Sequence, residues 1–92
     1  MSHEEEEIHK KAKRFAKLLV DELKLYNQQK VTEGRKHKDI YSRLKDDIDK
    51  SRMSYDKRYG QTAAGGADYF NQELIRVLCE GDPAVMGKGF SR

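Results

Sequence analysis

The chain is short of the usual covalent supports. Cys79 is its only cysteine, so no internal disulfide can form, and without a CxxC pair no cysteine-based zinc site can form either. A chain of 92 residues makes one domain and buries only roughly 60–65% of the surface its unfolded form exposes. Small domains without disulfide or metal gain stability from self-association or from very regular helix packing. The N-terminal MSHEEEEIHKK has no apolar core of the kind a secretory leader needs. The apolar run Leu18-Leu19-Val20 falls far short of the ~20 residues that span a bilayer. One free thiol and no export pattern place the protein in a reducing cytoplasm. No alternating run rich in Val, Ile and Thr marks a strand.

Charge of one sign is missing too. Nineteen basic residues face 16 acidic ones, for a net +3, whereas a small nucleic-acid binder shows a stronger bias or a clear basic face. The excess is local. Residues 1–33 carry seven charges of each sign, residues 34–59 nine basic and five acidic, and residues 60–92 three basic and four acidic.

What is present is helical patterning. Ser2 and Glu5 fit a capping box, and Glu4 to Glu7 set negative charge at the positive end of a helix dipole. Ile8, Ala12, Phe15, Leu19, Leu23 and Tyr26 recur at spacings of three or four, which predicts a first helix over residues 3–32. Ala16, Leu18, Val20 and Leu25 widen the stripe beyond what one partner helix needs. Gly34 follows as a helix stop. Asp39 can cap a second helix over 39–59, with Ile40, Tyr41, Leu44, Ile48, Tyr55 and Tyr59 on its apolar side and Ser51 and Arg52 interrupting it. GQTAAGGA, residues 60–67, reads as a loop. Asp68 can cap a third helix over 68–80, with Phe70, Leu74, Val77 and Leu78 on one face and Gly81 as its stop. Pro83 can start one more turn, and residues 87–92 read as a frayed tail. The expected fold is all-α: a long antiparallel helical hairpin with a shorter third helix across it, completed by dimerisation.

Chemistry-bearing patterns are sparse. GDPAVMGKG, residues 81–89, differs from a P-loop in its spacing, in having Gly89 where Ser or Thr is needed, and in lacking the preceding strand. Glu6 and His9 share the Glu-x-x-His spacing of di-iron bundles, but the second helix offers no Glu to complete such a site. His3–Glu7 and Glu5–His9 could touch a surface metal; a solvated acidic first turn accounts for them without one. Cys79 sits beside Ile75 and Leu78 and reads as a small buried hydrophobe. The expectation is no enzyme, no cofactor and no bound metal. Residues 1–33 carry no net charge, which disfavours a membrane-surface role for helix 1.

Two basic clusters frame the main alternative. Lys10, Arg14 and Lys17 share one side of helix 1, diluted by nearby acids. Arg35, Lys36 and Lys38, with Arg43, form a second group around the expected connection. These seven are the phosphate-contact candidates of a nucleic-acid reading, in which Tyr41, Tyr55 or Tyr59 would have to supply stacking. Against it stands a protein-interaction reading, in which Phe15, Leu18, Leu19, Leu23 and Tyr26 form an interface with a second copy or a partner helix. The even charge of helix 1 favours this second reading.

The string HKKAKRFAKLLVDELKLYNQQKVTEGRKHKDIYSRLKDDIDKSR, followed by DYFNQELIRVLCEGDP, resembles a helical segment of uncharacterised bacterial proteins. In some of these the segment lies C-terminal to a small zinc-ribbon module. The resemblance covers roughly residues 8–86 and implies a bacterial, cytoplasmic interaction segment with no catalytic residues. The ribbon's CxxC pairs are absent here, so a role carried by the ribbon does not transfer.

Overall fold

A computed structural model describes residues 2–90, which are helical with short connections and contain no strand. Helix α1 spans His3–Tyr26, α2 Gln28–His37, α3 Ile40–Tyr59 and α4 Tyr69–Glu73. A π-helical turn, Leu74–Leu78, continues α4, and a 3₁₀ turn covers Pro83–Met86.

Ser2 accepts a hydrogen bond from the Glu5 N–H at 3.1 Å and so caps α1. The long first helix expected over residues 3–32 is instead two helices, divided at Asn27. Its side-chain amide donates to the Leu23 carbonyl at 2.9 Å, the acceptor its own backbone N–H would use in a continuous helix. The backbone there turns to φ −133°, ψ 34°, and α2 begins one residue later. A side chain that inserts into the i→i−4 ladder is a recognised cause of a break.

Gly34 does not end a helix. It lies buried within α2, where a Cβ would sit 3.0 Å from the Ile40 Cα. Its lack of a side chain lets α2 and the start of α3 touch. The left-handed residue that ends α2 is Lys38, at φ 55°.

The core runs through Ala12, Ala16, Val20 and Leu23 of α1, Val31 of α2, and Ile40, Leu44, Ile48, Tyr55 and Tyr59 of α3. Phe70, Leu74, Leu78, Cys79 and Met86 close it from the C-terminal side. Phe15 stacks on Tyr55 with centroids 6.5 Å apart and meets Tyr59 at 5.8 Å. Leu23 and Asn27 flank a depression shared with Asp47, Lys50 and Ser51. Rising numbers on α1 and α2 therefore meet falling numbers on α3.

The interruption of the α3 stripe has a structural use. Arg52 donates to the buried Asn71 side chain and lies 5.0 Å over the Phe70 ring, while Asn71 donates to Asp68 at 2.7 Å. A polar network thus fixes α4 on α3. Just after the π-helical turn, Glu80 and Gly81 turn left-handed, and the Gly81 N–H donates to the Ile75 carbonyl at 2.9 Å.

The segment 60–67 is a series of short turns rather than a slack linker. The Thr62 hydroxyl donates to the Tyr59 carbonyl at 2.7 Å and accepts from the Ala64 N–H at 3.2 Å. Ala64 itself is buried. The tail read as frayed over 87–92 is docked through residue 90. Gly87 lies against Lys38, and Phe90 meets Tyr41 edge-on at 5.6 Å. Residues 91–92 lie outside the described residues.

Candidate interaction surface

Helix α1 has two apolar faces, where the sequence suggested one wide stripe. The inward face is built of small residues: Ala12, Ala16 and Val20 are fully buried and Leu23 nearly so. Small side chains let α3 and α4 approach the helix closely. Leu18 and Leu25, by contrast, are 53% and 60% exposed. At 3.6 residues per turn they lie roughly 160° around the helix from the buried set. They are seven residues apart, two turns along one line.

The five interface candidates therefore separate. Leu23 belongs to the chain's own core, and Phe15 and Leu19 are partly buried against it. Leu18 faces solvent, and so does Tyr26, at 79% exposure, beside the break. Leu25, which the sequence places on the widened stripe, joins this exposed set, and Met53 of α3, at 71% exposure, is an exposed apolar residue that no sequence pattern singled out. A helical wheel would have separated Leu18 and Leu25 from the core, but only the buried alanines reveal which side is inward.

Two depressions border the outer face. One, of about 360 Å³, is lined by Lys11, Arg14, Phe15, Leu18, Arg58 and Tyr59. Arg58 lies 4.9 Å over the Phe15 ring, so its guanidinium is held in place. The other, of about 430 Å³, sits in the elbow between α1 and α2, with Leu25, Val31 and Arg35 on its walls.

The phosphate-contact candidates do not gather on one surface. Arg35 is turned against the chain: its Nε and Nη2 donate to the Leu78 and Val77 carbonyls, both at 2.9 Å. These carbonyls end the π-helical turn, where a cation is favoured by the helix dipole. Glu80 approaches the same guanidinium at 3.5 Å. Arg43 pairs with Asp39 at 2.6 Å, Lys17 with Asp21 at 2.7 Å and Lys10 with Glu7 at 3.8 Å. Arg14, Lys36 and Lys38 have no ion-pair partner among the described residues; Lys36 and Lys38 are neighbours at the end of α2, whereas Arg14 lies on α1.

The stacking candidates are committed as well. Tyr55 and Tyr59 are core residues, and the Tyr41 hydroxyl donates to Asp49 at 3.0 Å. Burial pushes the Tyr55 phenol up to about 12, reinforced by Tyr69, Asp68, Asp56 and Tyr59 nearby. Its hydroxyl has no hydrogen-bond partner among the described residues.

His9 does not face a metal-binding carboxylate set: its Nδ1 lies 2.6 Å from the Tyr69 hydroxyl. Among the described residues no cluster of three or more His, Cys, Asp or Glu side chains could hold a metal. Cys79 is buried, and burial raises its thiol to about 11 even though Arg35 works the other way. No helix among the described residues is long and apolar enough to cross a membrane. Comparison with known proteins gives no matching family model, no matching curated protein and no matching solved structure.

Proposed function

We propose that this chain is a non-enzymatic helical assembly module, a hairpin of α1–α2 against α3 that dimerises through the outer face of α1. The observation that carries this reading is the pair Leu18 and Leu25. They are exposed and aligned on a helix whose core contacts are already satisfied on the other side. Large apolar side chains in a row on a charged surface mark a contact site. A cytoplasmic setting is part of the reading; it is compatible with a single cysteine that is buried and unpaired.

Sedimentation velocity across concentrations from about 1 µM to 1 mM, the range in which weak complexes dissociate, tests it. The expected result is a mass that rises to two chains, and a Leu18→Asp, Leu25→Asp double variant that stays at one chain with unchanged helicity. A wild-type chain of one-protomer mass throughout would refute the proposal.

Nucleic-acid binding is the second reading, supported by the exposed Lys36 and Lys38, which lack carboxylate partners among the described residues. Its sign would be affinity for duplex or single-stranded probes that falls steeply with salt. Lys36→Ala with Lys38→Ala should weaken such binding; Arg35 is excluded from the test because it also holds a helix end.

A further inference from the structure

The outer face of α1 carries a pattern with its own symmetry. Leu18 has Arg14 four residues before it and Glu22 four residues after it, with Lys11 and Leu25 at seven before and seven after. All five side chains are exposed. Neither Arg14 nor Glu22 has an ion-pair partner among the described residues, although the neighbouring Lys17 and Asp21 are paired with each other. A cation and an anion placed evenly about a leucine are complementary to the same segment read in the opposite direction.

We infer, on the dimer reading above, that α1 docks on the α1 of a second copy, antiparallel and centred on Leu18. In this register Arg14 of each copy lies level with Glu22 of the other. Lys11 lies level with Leu25, so its aliphatic stem can cover the leucine. The contact line from Lys11 to Leu25 is ~21 Å long at 1.5 Å per residue. The depression formed by Lys11, Arg14, Phe15, Leu18 and Arg58 contains no carboxylate, and it receives the acidic stretch Asp21-Glu22 of the second copy.

The other simple registers oppose like charges. A parallel pair sets Arg14 beside Arg14 and Glu22 beside Glu22. An antiparallel pair centred midway between Leu18 and Leu25 sets Asp21 and Glu22 against the same residues of the second copy. Charge opposition therefore selects one register from among those that would bury the leucines. Nothing similar exists on α3, where Met53 stands without a second exposed large apolar residue among those described.

The test is a charge exchange read by sedimentation equilibrium, with circular dichroism confirming the fold of each variant. Arg14→Glu and Glu22→Arg should each weaken self-association about tenfold, because the twofold axis makes every substitution act twice. The double variant R14E/E22R restores opposition and should return to within about twofold of wild type. An equimolar mixture of the two single variants should form a heterodimer at least about tenfold tighter than either variant alone. If wild type dimerises and the exchanges leave its affinity unchanged, or the double variant is weaker than the singles, this register is wrong and the dimer reading survives. A wild-type chain that is monomeric up to about 1 mM overturns both.

Discussion

Replacing Arg35 by alanine should cost the fold far more than removing an exposed cation would. The guanidinium donates to two carbonyls at the end of the π-helical turn, each at 2.9 Å, and so ties α2 to the C-terminal segment. Truncation leaves both acceptors without their donor and removes a cation from a helix C-terminus. Hydrogen bonds from charged groups contribute ~1.5–3 kcal/mol each. The two share one side chain, so they do not add in full, and the side chain is 28% exposed, so water replaces part of the loss. The expected net destabilisation is ~2 kcal/mol. For a domain of this size that corresponds to a fall in melting temperature of ~8–16 °C. Arg35→Lys keeps the charge but not the fork, and should recover less than half. Glu80→Ala is the control: its carboxylate is 72% exposed and 3.5 Å from the guanidinium, so its removal should stay within ~0.5 kcal/mol. Urea titration followed by circular dichroism gives each value, and an unchanged slope shows that the unfolded state has not been altered. If Arg35→Ala and Glu80→Ala unfold at the same midpoint, the capping role assigned to Arg35 is refuted.

Tyr55→Phe should stabilise the protein by ~1 kcal/mol, because it removes a buried hydroxyl that has no partner among the described residues; equal or lower stability by urea titration would point to an ordered water on that oxygen. Burial raises the pKa of both Cys79 and Tyr55, from 9.0 to about 11 and from 10.0 to about 12. The folded state thus holds their protons more tightly than the unfolded state, so stability should fall as pH rises from about 9 to 12, more shallowly in Tyr55→Phe; a flat profile over that window would contradict the burial of both groups. For the same reason iodoacetamide at pH 8 should modify native Cys79 at least about tenfold more slowly than the unfolded chain. Gly87→Ala should free the tail, since Gly87 has φ 78° and a Cβ there would meet the Lys38 carbonyl oxygen at 2.5 Å. We expect a loss of ~1–3 kcal/mol and faster hydrogen exchange at Tyr41 and Phe90, and unaltered exchange would show that the tail contributes nothing.

The helical character of this chain was legible because it rests on spacing. Apolar residues at intervals of three and four, Ser2 before an acidic turn, and Asp68 before Phe70 are local signals, and each corresponds to a local hydrogen bond or a buried face. The break at Asn27 was not legible. Asn is tolerated inside helices, and only the bond from its side chain to the Leu23 carbonyl shows that it divides this one. Gly34 misled for a related reason. A glycine after a periodic segment is a good stop, yet this one is required for close contact with Ile40, a neighbour that exists only after α2 has turned into α3. Arg35 looked like one of a basic run, and its role as a cap depends on a partner more than 40 residues away.

The sequence by itself determined an all-α chain, the approximate helical segments and the residues able to form a core, because periodicity and capping act within a few residues. The tertiary structure alone decided which face of α1 is inward. Alanines and leucines both satisfy a helical stripe, and the choice depends on how closely α3 and α4 approach. That approach selected the small residues Ala12, Ala16 and Val20 for the inside and left Leu18 and Leu25 in solvent. It also decided which cations are engaged, since an ion pair or a cap needs a partner delivered by the fold. The separation of one apolar stripe into a core face and an outer face turned a long list of candidates into a short segment, Lys11 to Leu25, on which the proposed assembly rests.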